Sequence, residues 1–167
     1  MQRKKKIHLY ISISIIFTIY VIGMSIIRIK FIENIIPTPV VYYNKEWGVN
    51  LPEPYRRERI YAFEFKDEPE LKIWYYDEGK IKEIINDNNL RKIDEQNKEF
   101  ILNKIDEHYS PLEEEKKQLF KCNVPHKNSL MSEENYYYFK KNDNDASWLL
   151  LILENETGKV YFIHTYY

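Results

Sequence analysis

The cysteine and two of the histidines of this sequence are the residues that could form a nucleophile and its base. Cys122 and His126 are four positions apart, and His108 lies earlier in the chain. A thiol becomes a strong nucleophile when an adjacent imidazole takes its proton. Pro125 interrupts any helix face that Cys122 and His126 would share, so we interpret their spacing as coincidence. Cys122 is predicted to be buried, because a lone thiol packs like a small apolar side chain.

The spacing of polar residues does not indicate a metal or phosphate site. No two of the four histidines are separated as H-x-x-x-H. Asn142–Asp145 resembles the start of a calcium-binding loop, but the following glycine and the distal glutamate are missing. Four glycines in the whole chain leave no glycine-rich phosphate loop. We therefore assign no catalytic, cofactor-binding or metal-binding residue, which favours a binding protein over an enzyme.

A run of aromatic residues is the clearest candidate for ligand contact. The rings of Tyr136, Tyr137 and Tyr138 could stack on a sugar or a peptide. Successive side chains of a strand point to opposite faces of the sheet, so at most two of these rings can act together.

The N-terminal part of the chain contains an apolar run that could anchor these elements to a membrane. Ile7–Ile27 comprises 21 positions without a formal charge, and about 20 helical residues cross a bilayer core. The alternative is a signal peptide, whose apolar region is about 7–15 residues and precedes a small-x-small cleavage site. The greater length and the missing cleavage site favour an uncleaved transmembrane helix over residues 7–27.

Charge on either side of this span predicts its orientation. Arg3–Lys6 supplies four cations before it, whereas only Arg28 and Lys30 follow closely. Positive residues stay inside, so residues 1–6 form a cytoplasmic N-terminus and the C-terminal domain lies outside, at the cell membrane. Residues 31–167 carry 26 acidic and 19 basic side chains, a net charge of −7, which excludes a nucleic-acid partner.

Residues 28–54 are predicted to be a linker leading into an extracytoplasmic domain at 55–167. Prolines recur in this segment and disfavour helix before each of them. Tyr42, Tyr43 and Trp47 could lie at the lipid headgroups or pack on the domain, and the sequence leaves both alternatives open.

The elements that follow predict an α+β fold, a mainly antiparallel sheet with two helices packed on it. Ile60–Phe65 and Leu71–Tyr76 read as a hairpin, whereas Ile81–Ile85 is compatible with either helix or strand. Leu90–Tyr109 is predicted to be a helix whose buried stripe includes Ile93, Phe100, Ile101, Ile105 and Tyr109. A second helix is expected to start at Ser110, with Pro111 at its first position and Glu113 completing a capping box.

The C-terminal third has the pattern of a three-stranded meander. Its strands are predicted at Tyr136–Phe139, Trp148–Leu153 and Val160–Tyr167. The six consecutive apolar residues of the middle strand indicate that it is covered on both faces. Gly158 is expected to adopt a positive φ in the last hairpin.

Two segments resemble known families. Trp47–Tyr55, with the pattern W-G-V-x-L-P-x-P, resembles the segment after the anchor in uncharacterised small membrane-anchored proteins of low-GC Gram-positive bacteria. That resemblance implies the same location at the membrane and brings no activity. Glu156–Val160 is similar to the final hairpin of PepSY-type domains, which are extracytoplasmic regulatory or inhibitory modules.

These observations together predict a single-pass membrane protein with a binding or accessory domain at the cell surface. Its partners would be the lipid bilayer through residues 7–27 and an envelope protein or peptide. Two other functions remain open: immunity or inhibition against a toxin or protease, for which an acidic surface suits a basic toxin, and catalysis on envelope material.

Overall fold

The computed structural model describes Thr18 and residues 38–61, 69–87, 89–125 and 127–166. Within these residues the helices are α1 (Pro39–Trp47), α2 (Glu78–Asp87), α3 (Lys98–Tyr109), α4 (Glu114–Asn123) and α5 (Lys127–Leu130). The strands are β1 (Arg56–Tyr61), β2 (Glu70–Tyr75), β3 (Arg91–Lys92), β4 (Tyr136–Lys141), β5 (Trp148–Glu154) and β6 (Lys159–Thr165). The predicted α+β class is confirmed.

The chain divides into two units, Met1–Tyr42 and Tyr43–Tyr167. The second unit includes residues 43–54, which were predicted to belong to the linker. Thr18 is the single described position of the predicted transmembrane helix 7–27, so that prediction lies outside the described residues. Among the residues that are described, no helix combines the length and the apolar character that crossing a bilayer requires.

The sheet contains six strands in the order β1-β2-β6-β5-β4-β3, and every neighbouring pair is antiparallel. The predicted meander of β4, β5 and β6 is confirmed. The two N-terminal strands also pair, but the first lies at Arg56–Tyr61 instead of the predicted Ile60–Phe65, of which residues 62–65 lie outside the described residues. Strand β6 lies at the centre, between β2 and β5. It therefore joins a hairpin from the N-terminal part of the domain to the strands of the C-terminal part.

One face of the sheet, here the α3 face, packs against α3 and α4. Residues opposite one another in the register share a face, and Leu150 is opposite Ile163 in the central pair. Ile101 and Ile105 of α3 and Phe120 of α4 complete this core. The other strand residues of the same cluster are Tyr61, Leu71, Ile73, Tyr137, Trp148, Ile152 and Tyr161.

The opposite face, here the α1 face, is closed by Tyr43 and Trp47 of α1. Tyr43 contacts the rings of Trp74 and Phe162, with centroid separations of 5.5 and 4.8 Å. Trp47 meets His164 edge to face at 4.7 Å. Of the two alternatives for these aromatic residues, the structure shows packing on the domain for Tyr43 and Trp47. All residues of β5 are buried, as predicted.

The W-G-V-N-L stretch after α1 continues this packing. Trp47, Val49 and Leu51 are buried, and Gly48 adopts a φ of +68° that turns the chain between them. The Asn44 amide bridges the turn, since its Nδ2 donates to the carbonyl of Leu51 and its Oδ1 accepts from the amide of the same residue. This part of the sequence pattern is therefore explained by packing within the domain.

The helix predicted over Leu90–Tyr109 is wrong in its first half. Arg91 and Lys92 form β3, and α3 begins only at Lys98. The Asp94 carboxylate accepts hydrogen bonds from the amides of Gln96 and Asn97, which stabilises a turn in place of a helix. Ile93 is buried as expected, but it reaches the core from the end of a strand.

The predicted capping box is also wrong. Helix α4 begins at Glu114, and its N-cap residue Glu113 makes no side-chain capping bond. The hydroxyl of Ser110 instead donates to the carbonyl of Asp106, at the end of α3. A serine hydroxyl can hydrogen-bond to backbone groups at the start or at the end of a helix. Here Ser110 bonds to a carbonyl at the end of α3. The ambiguous segment Ile81–Ile85 is helical, within α2.

Candidate functional site

The structure does not pair the candidate nucleophile Cys122 with His108, because the first is exposed and the second is buried. Cys122 is exposed on α4, so the prediction of a buried thiol is wrong. His126 lies outside the described residues. His108 is fully buried on the α3 face, among Tyr61, Phe120 and Trp148.

His108 is held by hydrogen bonds at both ring nitrogens. The hydroxyl of Tyr61 lies 2.6 Å from Nε2, and the hydroxyl of Thr165 lies 3.1 Å from Nδ1. Burial lowers the pKa of His108 to about 3 and raises the pKa of Tyr61 well above its usual range. Both groups are therefore neutral at physiological pH. The triad of Tyr61, His108 and Thr165 connects α3 to β1 and β6. Both ring nitrogens of His108 have hydrogen-bond partners within the domain, so neither is available to a substrate.

A second polar cluster lies under α1. Nζ of Lys72 is 2.7 Å from Oε2 of Glu70, and the Tyr43 hydroxyl donates to the same oxygen at 3.3 Å. Burial lowers the pKa of Lys72, and the negative charge of Glu70 partly offsets this effect. Glu70 is 2% exposed. The hydrogen bond from Tyr43 to Glu70 links α1 to β2. Long-range contacts of this kind have no local sequence signal.

The calcium-loop residues have an ordinary structural role. The Asn142 side chain accepts from the amide of Asn144, and the Asp145 side chain accepts from the amide of Ser147. They thus form the turn between β4 and β5. No group of three or more potential metal ligands occurs among the described residues.

The outer edge of β4 is paired along only part of its length. In the described part of the chain, β3 pairs with Tyr136 and Tyr137 alone. The amide of Ile93 donates to the carbonyl of Asn135, whereas the amide of Asn142 donates to the carbonyl of Ser147 across β5. Hydrogen bonding alternates along an antiparallel strand, so the backbone groups of Phe139 and Lys141 face outward, and no strand of the described residues lies beside them.

A recess of about 460 Å³ lies along this open edge. Its base is aromatic, because Phe100 of α3 meets Phe139 of β4 edge to face at 5.0 Å. Phe100 is 39% exposed, so its predicted place in the buried stripe is wrong. The remaining lining residues are Asn89, Arg91, Gln96, Asn97, Tyr137 and Tyr138. Backbone, amide and aromatic groups therefore converge on one accessible site.

Four cations of β3 and β4 have no carboxylate partner among the described residues. They are Arg91 and Lys92 of β3 and Lys140 and Lys141 of β4. Strand β1, at the other edge of the sheet, differs in this respect. Its arginines are paired with Glu58, Glu53 and Glu70. An open strand edge with unneutralised positive charge thus occurs at β4.

The tyrosines predicted to stack on a ligand are used mainly within the domain. Tyr137 is buried on the α3 face, and Tyr138 donates a hydrogen bond to the carbonyl of Trp47. The recess borders this tyrosine-rich strand, and the most exposed aromatic ring in its lining is that of Phe100. Strand β3 lies inside residues 90–97, which were predicted to be helical. The short pairing between β3 and β4 was therefore not predicted.

No protein-family model matches the chain, and searches of curated proteins and solved structures found no similar protein. Functional inference therefore rests on the geometry of the site and on the sequence.

Proposed function

We propose that this chain is a single-pass membrane protein whose extracytoplasmic domain binds an extended segment of an envelope protein or peptide. The observation that carries the binding role is the open half of β4 beside the aromatic recess. The apolar run at 7–27 and its flanking charges support the location. Arg3–Lys6 before the run would keep the N-terminus in the cytoplasm.

The binding mode that suits this edge is strand addition. An extended segment that lies beside β4 can hydrogen-bond to the outward-facing amides and carbonyls of Phe139 and Lys141. Its alternate side chains would then reach the recess that contains Phe100. An unpaired strand edge otherwise favours unwanted pairing, and the lysines of β4 limit that pairing to segments that tolerate positive charge.

Amide hydrogen exchange on the full-length chain in detergent tests the strand-addition mode. Without ligand, the amides of Phe139 and Lys141 should exchange fast, whereas those of Tyr138 and Lys140, which face β5, should be protected. A random linear peptide library provides the probe. Peptides selected from it should slow exchange at Phe139 and Lys141. Selected peptides that protect neither amide would overturn the proposed site.

A proline variant tests the same bond by removal. Lys141→Pro deletes one outward-facing amide, and proline is tolerated at a strand edge, so the unfolding midpoint should stay near that of the parent while peptide binding falls. Lys140→Pro is the matched control, because its amide faces β5 and its loss should lower the midpoint. Unchanged peptide binding by a folded Lys141→Pro protein would contradict strand addition.

The location has its own test. A reporter that is active only after export, fused after Tyr167, should be active, and the protein in the membrane should retain its N-terminal residues. Reporter activity confined to the cytoplasm would exclude an extracytoplasmic domain, while leaving the peptide-binding edge to be judged by the exchange experiment.

A further inference from the structure

We infer that the segment bound at β4 is acidic and carries two adjacent carboxylate residues next to one apolar residue. This inference rests on the proposed strand addition and specifies the chemistry of the partner. It follows from the side chains that β4 and β3 present along the open edge.

The order of side chains along β4 sets the order expected in the partner. Phe139 and Lys141 lie on the α3 face, and Lys140 lies on the α1 face, because successive residues alternate. A partner residue opposite Phe139 would therefore lie on the α3 face, beside the exposed ring of Phe100. Its two neighbours on one side would lie opposite Lys140 and Lys141. An apolar residue followed or preceded by two carboxylates matches this order.

Charge supports the same assignment. Lys140 and Lys141 have no ion pair among the described residues, and Arg91 lies on the α3 face at the other end of the recess, opposite Tyr137. The chain from residue 31 onward carries a net charge of −7, so this cationic edge is a local exception. Charges of one sign in a cleft attract and orient a partner of the other sign.

Three peptides that differ only in charge test the inference. The acidic peptide is Thr-Val-Thr-Phe-Glu-Glu-Thr, and the other two replace both glutamates by glutamine or by lysine. Two exposed ion pairs together should make the acidic peptide bind about 2- to 30-fold more tightly than the glutamine peptide. The lysine peptide should bind most weakly. Raising the salt concentration from about 50 mM to about 500 mM should reduce the difference.

Charge-neutral variants locate the effect. Lys140→Gln combined with Lys141→Gln should remove the preference for glutamate over glutamine, so that the two peptides bind this variant with equal affinity. The control is Lys82→Gln combined with Lys121→Gln, which removes two exposed cations from α2 and α4. That control should retain the preference.

Different failures have different meanings. If all three peptides bind equally and protect Phe139 and Lys141 from exchange, strand addition holds and the acidic preference is wrong. If the acidic peptide is preferred but the control variant loses that preference as well, the effect comes from net charge and the assignment to β4 is wrong. If no peptide protects the two amides, the proposed function itself fails.

Discussion

The hydroxyl of Tyr138 donates a 2.7 Å hydrogen bond to the backbone carbonyl of Trp47, which joins β4 to the end of α1. The two residues are 91 positions apart in the chain. The bond satisfies a carbonyl in the last turn of α1, where intrahelical partners are missing. It also places the strand that borders the recess in direct contact with the helix that closes the α1 face.

Replacing Tyr138 by phenylalanine should therefore destabilise the domain. Loss of this bond leaves the Trp47 carbonyl without its partner, and such changes cost about 1–3 kcal/mol. Tyr137→Phe is the matched control, because no hydrogen bond of the Tyr137 hydroxyl occurs among the described residues. Urea unfolding measures both free energies. Equal losses for the two variants would contradict the role of the bond.

Two buried histidines should make the domain less stable as pH falls. Burial lowers the pKa of His108 and of His164 to about 3, and Lys72 contributes at His164. In the unfolded chain both titrate near 6.5. Below that pH the unfolded state binds protons that the folded state does not, so stability is lost between about pH 6.5 and about pH 3.

The slope of this loss should be up to about 1.4 kcal/mol per pH unit for each histidine. Urea unfolding at about pH 7.5, 6.5 and 5.5 measures it before most carboxylates titrate. His108→Gln keeps a donor and an acceptor in the triad but cannot bind a proton at this pH. It should roughly halve the slope, and an unchanged slope would show that other groups are responsible.

The two glycines with positive φ should differ in their tolerance of alanine. Gly158 has a φ of +69°, and a Cβ there would lie 2.3 Å from the carbonyl oxygen of Tyr76. Gly48 has a φ of +68°, but the nearest atom to its Cβ would be the flexible Nζ of Lys140 at 3.6 Å. Gly48→Ala should cost about 1–2 kcal/mol from the left-handed backbone alone.

Gly158→Ala should cost clearly more, because the hairpin between β5 and β6 must shift away from Tyr76. The unfolding midpoints in urea of the two variants give the comparison directly. A smaller loss at Gly158 than at Gly48 would mean that the β5–β6 hairpin lies further from Tyr76 than the structure shows.

Cys122 should react rapidly with a thiol reagent in the folded protein, since its side chain is exposed. Cys122→Ser should change stability by no more than about 0.5 kcal/mol, as is usual for surface positions. Labelling kinetics with and without urea test the exposure. A reaction that requires unfolding would place the thiol in the core after all.

The sequence predicted the fold where a local pattern is sufficient. The apolar run of β5 indicated burial on both faces, and Gly158 indicated the last hairpin, because each is a short-range signal. The helix was predicted to start too early because Ile93 is apolar and has helical spacing to Ile101 and Ile105. That spacing does not show whether Ile93 belongs to the helix or precedes it. The Asp94 carboxylate stabilises a turn at this point in place of a helix. The side chain of an aspartate can bond in either conformation, so the local sequence does not show which one forms.

The candidate site could be predicted only in part. The sequence indicated the tyrosine-rich strand β4, but the open edge depends on how far β3 runs beside it. The pairing of β3 with β4 joins residues that are distant in the chain, such as Arg91 and Tyr137. The polar contacts of Glu70 with Tyr43 and of His108 with Thr165 are likewise long-range. Periodicity carries no information about such pairs.

The central position of β6 has a consequence for how the chain is made. Hairpin β1–β2 is synthesised early, yet one edge of β2 pairs with β6, which is the last strand in chain order. The ribosome must therefore release most of the domain before Leu71 can meet Ile163 and the sheet can close. Such late, non-local pairing makes folding slow.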